Sequence, residues 1–191
     1  MSGSNFTVLF DACVLYPAPL RDFLMRLATT GAFRARWTKQ IHEEWIRNAL
    51  KNNAHLERAR LQKTADMMNQ AVMDSLITEH EVIIPNLDLP DENDKHVLAA
   101  AIKGGAEVIV TFNLKDFPAN TLNTYDIWAQ HPDEFISHLI DLSPERVVLA
   151  AKRHRAALKN PPKTTEEYID TLLRQQLPST SAFLSKHKEL I

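Results

Sequence analysis

The chain has one cysteine and four glycines, and no long apolar run, and each scarcity removes a class of protein. The single Cys13 can neither close an internal disulfide nor build a cysteine-based zinc site, so a reducing, cytoplasmic setting is expected. Four glycines against ten prolines exclude collagen-like, disordered and Gly-rich linker compositions. No stretch approaches the roughly eighteen apolar residues of a membrane span. The N-terminal MSGSNFTVLFDACV has neither the basic start nor the long apolar core of a signal peptide, so export and membrane insertion are not expected. What is present is an ordinary soluble composition, 45% hydrophobic and 24% charged over 191 residues. That length suffices for one domain of about 130 residues with an appendage.

Net charge is small in total and uneven in distribution. The net value of −2 conceals a balance of +4 over residues 1–70, −11 over 71–145 and +5 over 146–191. An acidic middle flanked by basic ends is either a solvated acidic face or a set of carboxylates with a task, and position decides between them.

Phe6–Phe10 reads as a buried strand stopped by Asp11. Pro17 and Pro19 open a helical pattern that runs to Gly31, and Thr38 caps a second helix reaching Leu50. Leu56–Leu76 is a more polar helical stretch, and Val82–Ile84 a short strand before Pro85. A helix through Val97–Ile102 is closed by Gly104 and Gly105, Glu107–Thr111 is the clearest second strand, and Tyr125–Trp128 adds another. From Pro132 onward the pattern is helical, over 135–142, 144–158, 164–176 and 179–190. Strands alternating with helices imply an α/β fold with a mostly parallel sheet, whose ligands collect at the carboxyl ends of the strands. The domain boundary is expected at 131/132, with residues 132–191 as a helical C-terminal extension.

Several acids fall where such a sheet presents catalytic groups. Asp11 follows the first strand, Asp91 and Asp94 open the helix of DENDKHVLAAAI, Asp116 follows the second clear strand with Asn113 before it, and Glu43 and Glu44 lie on the second helix. Carboxylates about 5 Å apart repel by roughly 3 kcal/mol at an effective dielectric near 20, so a cluster of them calls for cations. An all-oxygen set without paired His or Cys points to Mg²⁺ or Mn²⁺ rather than zinc.

Three segments resemble PIN-domain ribonucleases, and within them the VapC-type toxins of bacterial toxin–antitoxin modules: VLFDACVLYP, WTKQIHEEWIRN, and LPDENDKHVLAAAIKGGAEVIVTFNLKDFP. The resemblance covers roughly residues 6–131 and implies a three-layer α/β/α nuclease domain over 1–131. The helical tail resembles that of a larger subgroup. The resemblance further implies that Asp11, Glu44, Asp94 and Asp116 are both the catalytic acids and the ligands of one or two Mg²⁺ or Mn²⁺ ions. Glu44 is preferred because an apolar residue, Ile41, stands three positions before it as in the family pattern; Glu43 is the alternative. Asp91 and Asn113 occupy positions that approach the metal in some relatives. Thr111 at the strand end either hydrogen-bonds a metal-bound water or satisfies a turn, and Arg47 either contacts RNA or orients the helix acid by an ion pair.

The activity so implied is metal-dependent endoribonucleolytic cleavage of RNA, leaving a 5′ phosphate and a 3′ hydroxyl. Arg21, Arg34, Arg36 and Lys39 are candidates for the RNA backbone, with Lys152, Arg153, Arg155 and Lys159 in the tail. A cognate antitoxin and homodimerisation are expected partners. A housekeeping RNA-processing PIN nuclease and a non-catalytic scaffold binding RNA or protein are the alternatives. A haloacid-dehalogenase-like phosphatase is excluded because Cys13 stands where its second Asp would be. Cys13 itself is expected to be a small packing residue. His42 and His96, neighbours of site acids in sequence, are not expected to serve as bases, because adjacent helical side chains point apart.

Overall fold

A computed structural model describes residues 6–191; the first five, MSGSN, belong to the segment read above for a leader and lie outside the described residues. The chain divides into two compact units, one formed by the described part of Met1–Tyr16 with Phe33–Gln130, the other by Pro17–Ala32 with His131–Ile191. Residues 17–32 thus join the C-terminal helices, although they lie within the N-terminal stretch of the sequence.

The first unit is built on four parallel strands: β1 (Thr7–Phe10), β2 (Arg34–Arg36), β3 (Val108–Val110) and β4 (Trp128–Gln130), in the spatial order β2-β1-β3-β4. Every residue of β1 and β3 is buried, as expected of the central strands of a parallel sheet. The four-residue α1 (Ala12–Leu15) starts directly after β1. Helix α3 (Lys39–Asn52) is capped by Thr38, whose hydroxyl accepts from the Ile41 N–H at 3.0 Å. It buries Ile41, Trp45, Ile46 and Ala49 and packs against α1 and α4 (Arg58–Ala71). Helix α5 (Lys95–Gly104) lies against β1 and β3, and Gly105, at φ +60°, ends it in a left-handed turn that residues with a Cβ resist. The short α6 (Ala119–Leu122) leads toward β4.

Three expectations are corrected. Glu81–Asn86, which contains the expected strand 82–84, forms a 3-10 helix, because Pro85 removes a ladder donor and fixes a helical φ. The last strand begins at Trp128 rather than Tyr125, because Asp126 takes a left-handed φ of 56° and prevents an extended chain before it. Strand β2, which the sequence reading lacked, consists of Arg34, Ala35 and Arg36 and pairs with Thr7–Leu9 of β1.

The second unit contains α2 (Ala18–Ala28), α7 (Pro132–Leu142), α8 (Pro144–Ala157), α9 (Thr165–Arg174) and α10 (Pro178–Lys186). Helix α2 packs on α8 and α9, α7 on α8 and α10, and α9 on α10. A capping box of Thr164 and Glu167 starts α9. Two polar groups are embedded here. Burial pushes the His154 imidazole down to about 4, so it is neutral, stacked on Phe23 and 3.1 Å from the Tyr168 hydroxyl. Asp133 is buried near the start of α7 and accepts from the Ser179 N–H at 2.8 Å, the Thr180 N–H at 2.9 Å and the Thr180 hydroxyl at 2.7 Å, tying down the start of α10. Among the described residues no helix is long and apolar enough to cross a membrane.

Candidate metal centre

The order of the strands fixes where a site can form. After β1 the chain lays β2 on one side and later returns to lay β3 on the other, so the carboxyl ends of β1 and β3 form a crevice at the switch point. The residues immediately beyond those ends are Asp11 and Thr111, and the Asp11 N–H donates to the Val110 carbonyl at 3.1 Å.

Asp11 is buried and held by three donors. Its Oδ1 accepts from the Ala12 N–H at 2.6 Å, and its Oδ2 from the Thr111 hydroxyl at 2.7 Å and the Cys13 thiol at 3.1 Å. A carboxylate offers about four lone-pair directions, so this cage fixes the group while leaving acceptor capacity. Thr111 also accepts from the Asn113 N–H at 3.0 Å, so the same hydroxyl closes a turn and orients a site acid. Cys13 is more than packing. The Phe112 N–H donates to its sulfur at 3.3 Å, and burial together with the Asp11 charge pushes its thiol up to about 12, so it remains a donor. Helical side chains lean toward the N-terminus, so a residue in the first turn of α1 folds back onto Asp11. The short helix that creates this geometry carries little periodic signal in the sequence.

Asp94 stands at the start of α5, and its carboxyl is pushed up to about 6, first by burial and then by the charges of Asp11, Asp91 and Asp116; His96 pulls the other way. Asp11, Asp91 and Asp116 are therefore each within electrostatic reach of Asp94. Asp116 ends the 3-10 turn Leu114–Asp116, half-buried, and Asn113 before it is exposed. Asp91 caps the turn Glu92–Asp94, accepting from the Asn93 N–H at 2.9 Å.

The two helix acids separate. Glu43 is exposed and paired with Arg58. Glu44 is less exposed, its Oε1 2.8 Å from His96 Nε2, off-axis for a hydrogen bond, and it borders the same cavity as Asp94. His96, discounted only as a base in the sequence reading, is buried in the first turn of α5; its partner Glu44 is 52 residues away in sequence, beyond the reach of any local pattern. Arg47 carries no ion pair among the described residues, so it does not anchor Glu44. Of the basic candidates, Arg34 and Lys39 are exposed and Arg36 is half-buried. Arg21 is 7% exposed and is not presented to a polyanion, a correction to the sequence reading.

Among the described residues no three His, Cys, Asp or Glu side chains converge on one point at ligand distance. The donors that gather around Asp94 are carboxylates, and their mutual repulsion is the electrostatic condition that a hard divalent cation relieves. In charge and donor type they fit Mg²⁺ or Mn²⁺ and lack the nitrogen and sulfur ligands that favour zinc.

Comparison with known proteins places the chain in a family. A PIN domain family model matches residues 7–115, and a VapC50 C-terminal domain model matches residues 132–186. The chain is 43% identical over 89 residues to a Mycobacterium tuberculosis protein named "Putative ribonuclease VapC50", covering 47% of this chain and 52% of that one. The match thus spans about half the length of that curated relative. No solved structure gives a match. The PIN model alone covers more than half of the residues, and on that extent the chain belongs to the PIN-domain family, as a VapC-like member with a helical C-terminal extension.

Proposed function

We propose that the protein is a metal-dependent endoribonuclease and the toxin of a toxin–antitoxin module. The observation that carries this reading is Asp94, raised to about 6 among Asp11, Asp91 and Asp116 at the carboxyl edge of a parallel sheet in a PIN-family chain. Asp11, Glu44, Asp94 and Asp116 would hold one or two Mg²⁺ or Mn²⁺ ions, with Asp91, Asn113 and Glu43 in supporting positions. Bound there, the ion supplies Lewis-acid neutralisation of charge on a phosphodiester and eases deprotonation of water. The chain's own part is orientation. Ala12, Thr111 and Cys13 hold both oxygens of Asp11 in one rotamer, and His96 sits against Glu44. Lys39, exposed just beyond the carboxyl end of β2, would help draw an RNA backbone toward an edge that otherwise repels it, whereas Arg34 opens β2 at the opposite, amino edge of the sheet. An antitoxin covering this edge, and a homodimer, complete the reading.

The test is incubation of purified protein with RNA in Mg²⁺ or Mn²⁺, followed by mapping of the ends. Cleavage that leaves 5′ phosphate and 3′ hydroxyl ends and stops on chelation is the expected result. Intact RNA, or cleavage indifferent to chelator, contradicts it. Thr111 gives a finer check as a positioning residue. Thr111→Val removes the donor to Asp11 Oδ2 and the acceptor of the Asn113 N–H, and is expected to lower kcat about tenfold while KM for RNA stays within about twofold, because Thr111 orients the acid and is not itself placed on the RNA. Thr111→Ser, which keeps the hydroxyl, should restore most of the rate; equal losses in both variants would assign Thr111 to packing alone.

A further inference from the structure

Beside the acids, between one face of α3 and the turn that opens α5, lies a cavity of about 500 Å³. That is within the range of small-molecule sites, roughly 300–1,000 Å³. Glu44 and Asp94 border it, so whatever enters lies next to the proposed ion-holding carboxylates.

The polar side chains on its lining fall into two groups. Glu43 is engaged by Arg58, Glu92 by Lys95 at 2.6 Å, and the Asn93 amide by Asp91 at 2.9 Å. Gln40, Arg47 and Asn48 have no hydrogen-bond or ion-pair partner among the described residues, although all three border the cavity. Together with Glu44 they follow the spacing 40, 44, 47, 48, which is one face of α3. The three unpartnered groups are two carboxamides and a guanidinium, planar forks that pair two atoms at once. Ile84 adds an apolar surface suited to the face of a ring. The carboxylates at the border disfavour a phosphate within the cavity, so the part of a nucleotide that fits is its base.

Fork-shaped donors have defined partners. Arginine pairs with O6 and N7 of guanine, and asparagine or glutamine with N6 and N7 of adenine. Both pairings use the N7 edge that pyrimidines lack, and single-stranded RNA exposes this edge when its bases are splayed out. We propose that this cavity is a nucleobase subsite taking an unstacked purine beside the scissile phosphate, read by Gln40, Arg47 and Asn48. The assignment rests on the ribonuclease reading and adds its base selectivity.

Two measurements test it. In the first, an RNA pool with randomised positions is cleaved and the ends are sequenced. The wild-type protein is expected to favour purines over pyrimidines at one position flanking the cut by about tenfold, the order of one bidentate base contact. In the Gln40→Ala/Asn48→Ala double variant, and separately in Arg47→Ala, the ratio should fall to within about threefold; these side chains are exposed, and thermal midpoints check that the variants fold. Cleavage without a purine preference, or an unchanged preference in the variants, overturns the subsite while leaving the ribonuclease reading intact. In the second, the ¹⁵N-labelled protein is titrated with millimolar adenosine, guanosine, cytidine or uridine, with no cleavage involved. The side-chain amide signals of Gln40 and Asn48 should move with the purine nucleosides and not with the pyrimidines. Equal shifts with all four, or none, overturn the subsite even if the protein cuts no RNA.

Discussion

Asp94→Asn is expected to reduce metal-dependent RNA cleavage by at least about 100-fold and, in the same protein, to raise the thermal stability of the metal-free form. Both effects have one origin. Burial and the charges of Asp11, Asp91 and Asp116 raise the Asp94 carboxyl to about 6, against an ordinary value of 3.8. Between those values the folded chain binds a proton that the unfolded chain does not, so the ionised group costs stability above about pH 6. That cost is relieved as pH falls from about 6 toward 4. Taken in full the rise corresponds to about 3 kcal/mol; Asp94 is partly exposed, and about 1 kcal/mol is expected after solvent screening. Asparagine keeps the shape, removes the charge and so recovers that cost at neutral pH while losing the charged donor. Thermal midpoints in chelator should be higher for the variant at pH 7.5 and converge with the wild type near pH 4.5. A variant less stable than the wild type in chelator at pH 7.5 contradicts the repulsion on which the site assignment stands.

Asp133→Ala is expected to cost about 3 kcal/mol of stability. The wild-type carboxylate is 6% exposed and receives two backbone N–H groups and a hydroxyl, so truncation strands the donors of Ser179 and Thr180 at the start of α10. Asp133→Asn retains one acceptor oxygen and should cost less, about 1–2 kcal/mol. Asp141→Ala, at an exposed position late in the same helix, should be within about 0.5 kcal/mol of neutral. Urea midpoints of the three variants check the order, and an Asp133→Ala effect no larger than that of Asp141→Ala removes the clamp. The pH dependence carries the same sign from two groups. The hydrogen bonds of Asp133 hold its carboxyl below 3.8 against the opposing effect of burial, so its contribution is present above that value and is lost as pH falls through the folded value. His154, held down to about 4 against a free value of 6.5, binds its proton more readily when unfolded, so stability falls as pH drops from about 6.5 toward 4.

What the sequence reveals and what it conceals follow from the range of the interactions involved. The Thr38 cap, the Gly105 terminus and the halt of β1 at Asp11 are local, decided by residues within one turn, and each is legible. Strand β2 is not, because Arg34 and Arg36 carry no apolar signal and the strand is defined by backbone pairing with β1. The choice between Glu43 and Glu44 rests in the sequence on the resemblance alone: neighbours on a helix differ by about 100° in direction, and their different surroundings come from partners on other segments, Arg58 for one and His96 for the other. The Cys13 thiol and the Thr111 hydroxyl meet at Asp11 only because β1 and β3 are adjacent, and strand order is not written in any single segment. The buried Arg21 shows the converse error, a charge counted as surface because composition carries no burial.

That these carboxylates hold a divalent ion is tested most directly by calorimetric titration of Mn²⁺ into the wild-type protein and into Asp94→Asn at pH 7.5, repeated at pH 5. The wild type should bind at pH 7.5 and more weakly at pH 5, where the proton on Asp94 competes, and the variant should bind weakly at both. Mn²⁺ affinity that is equal in the two proteins, or absent from the wild type at pH 7.5, would contradict it.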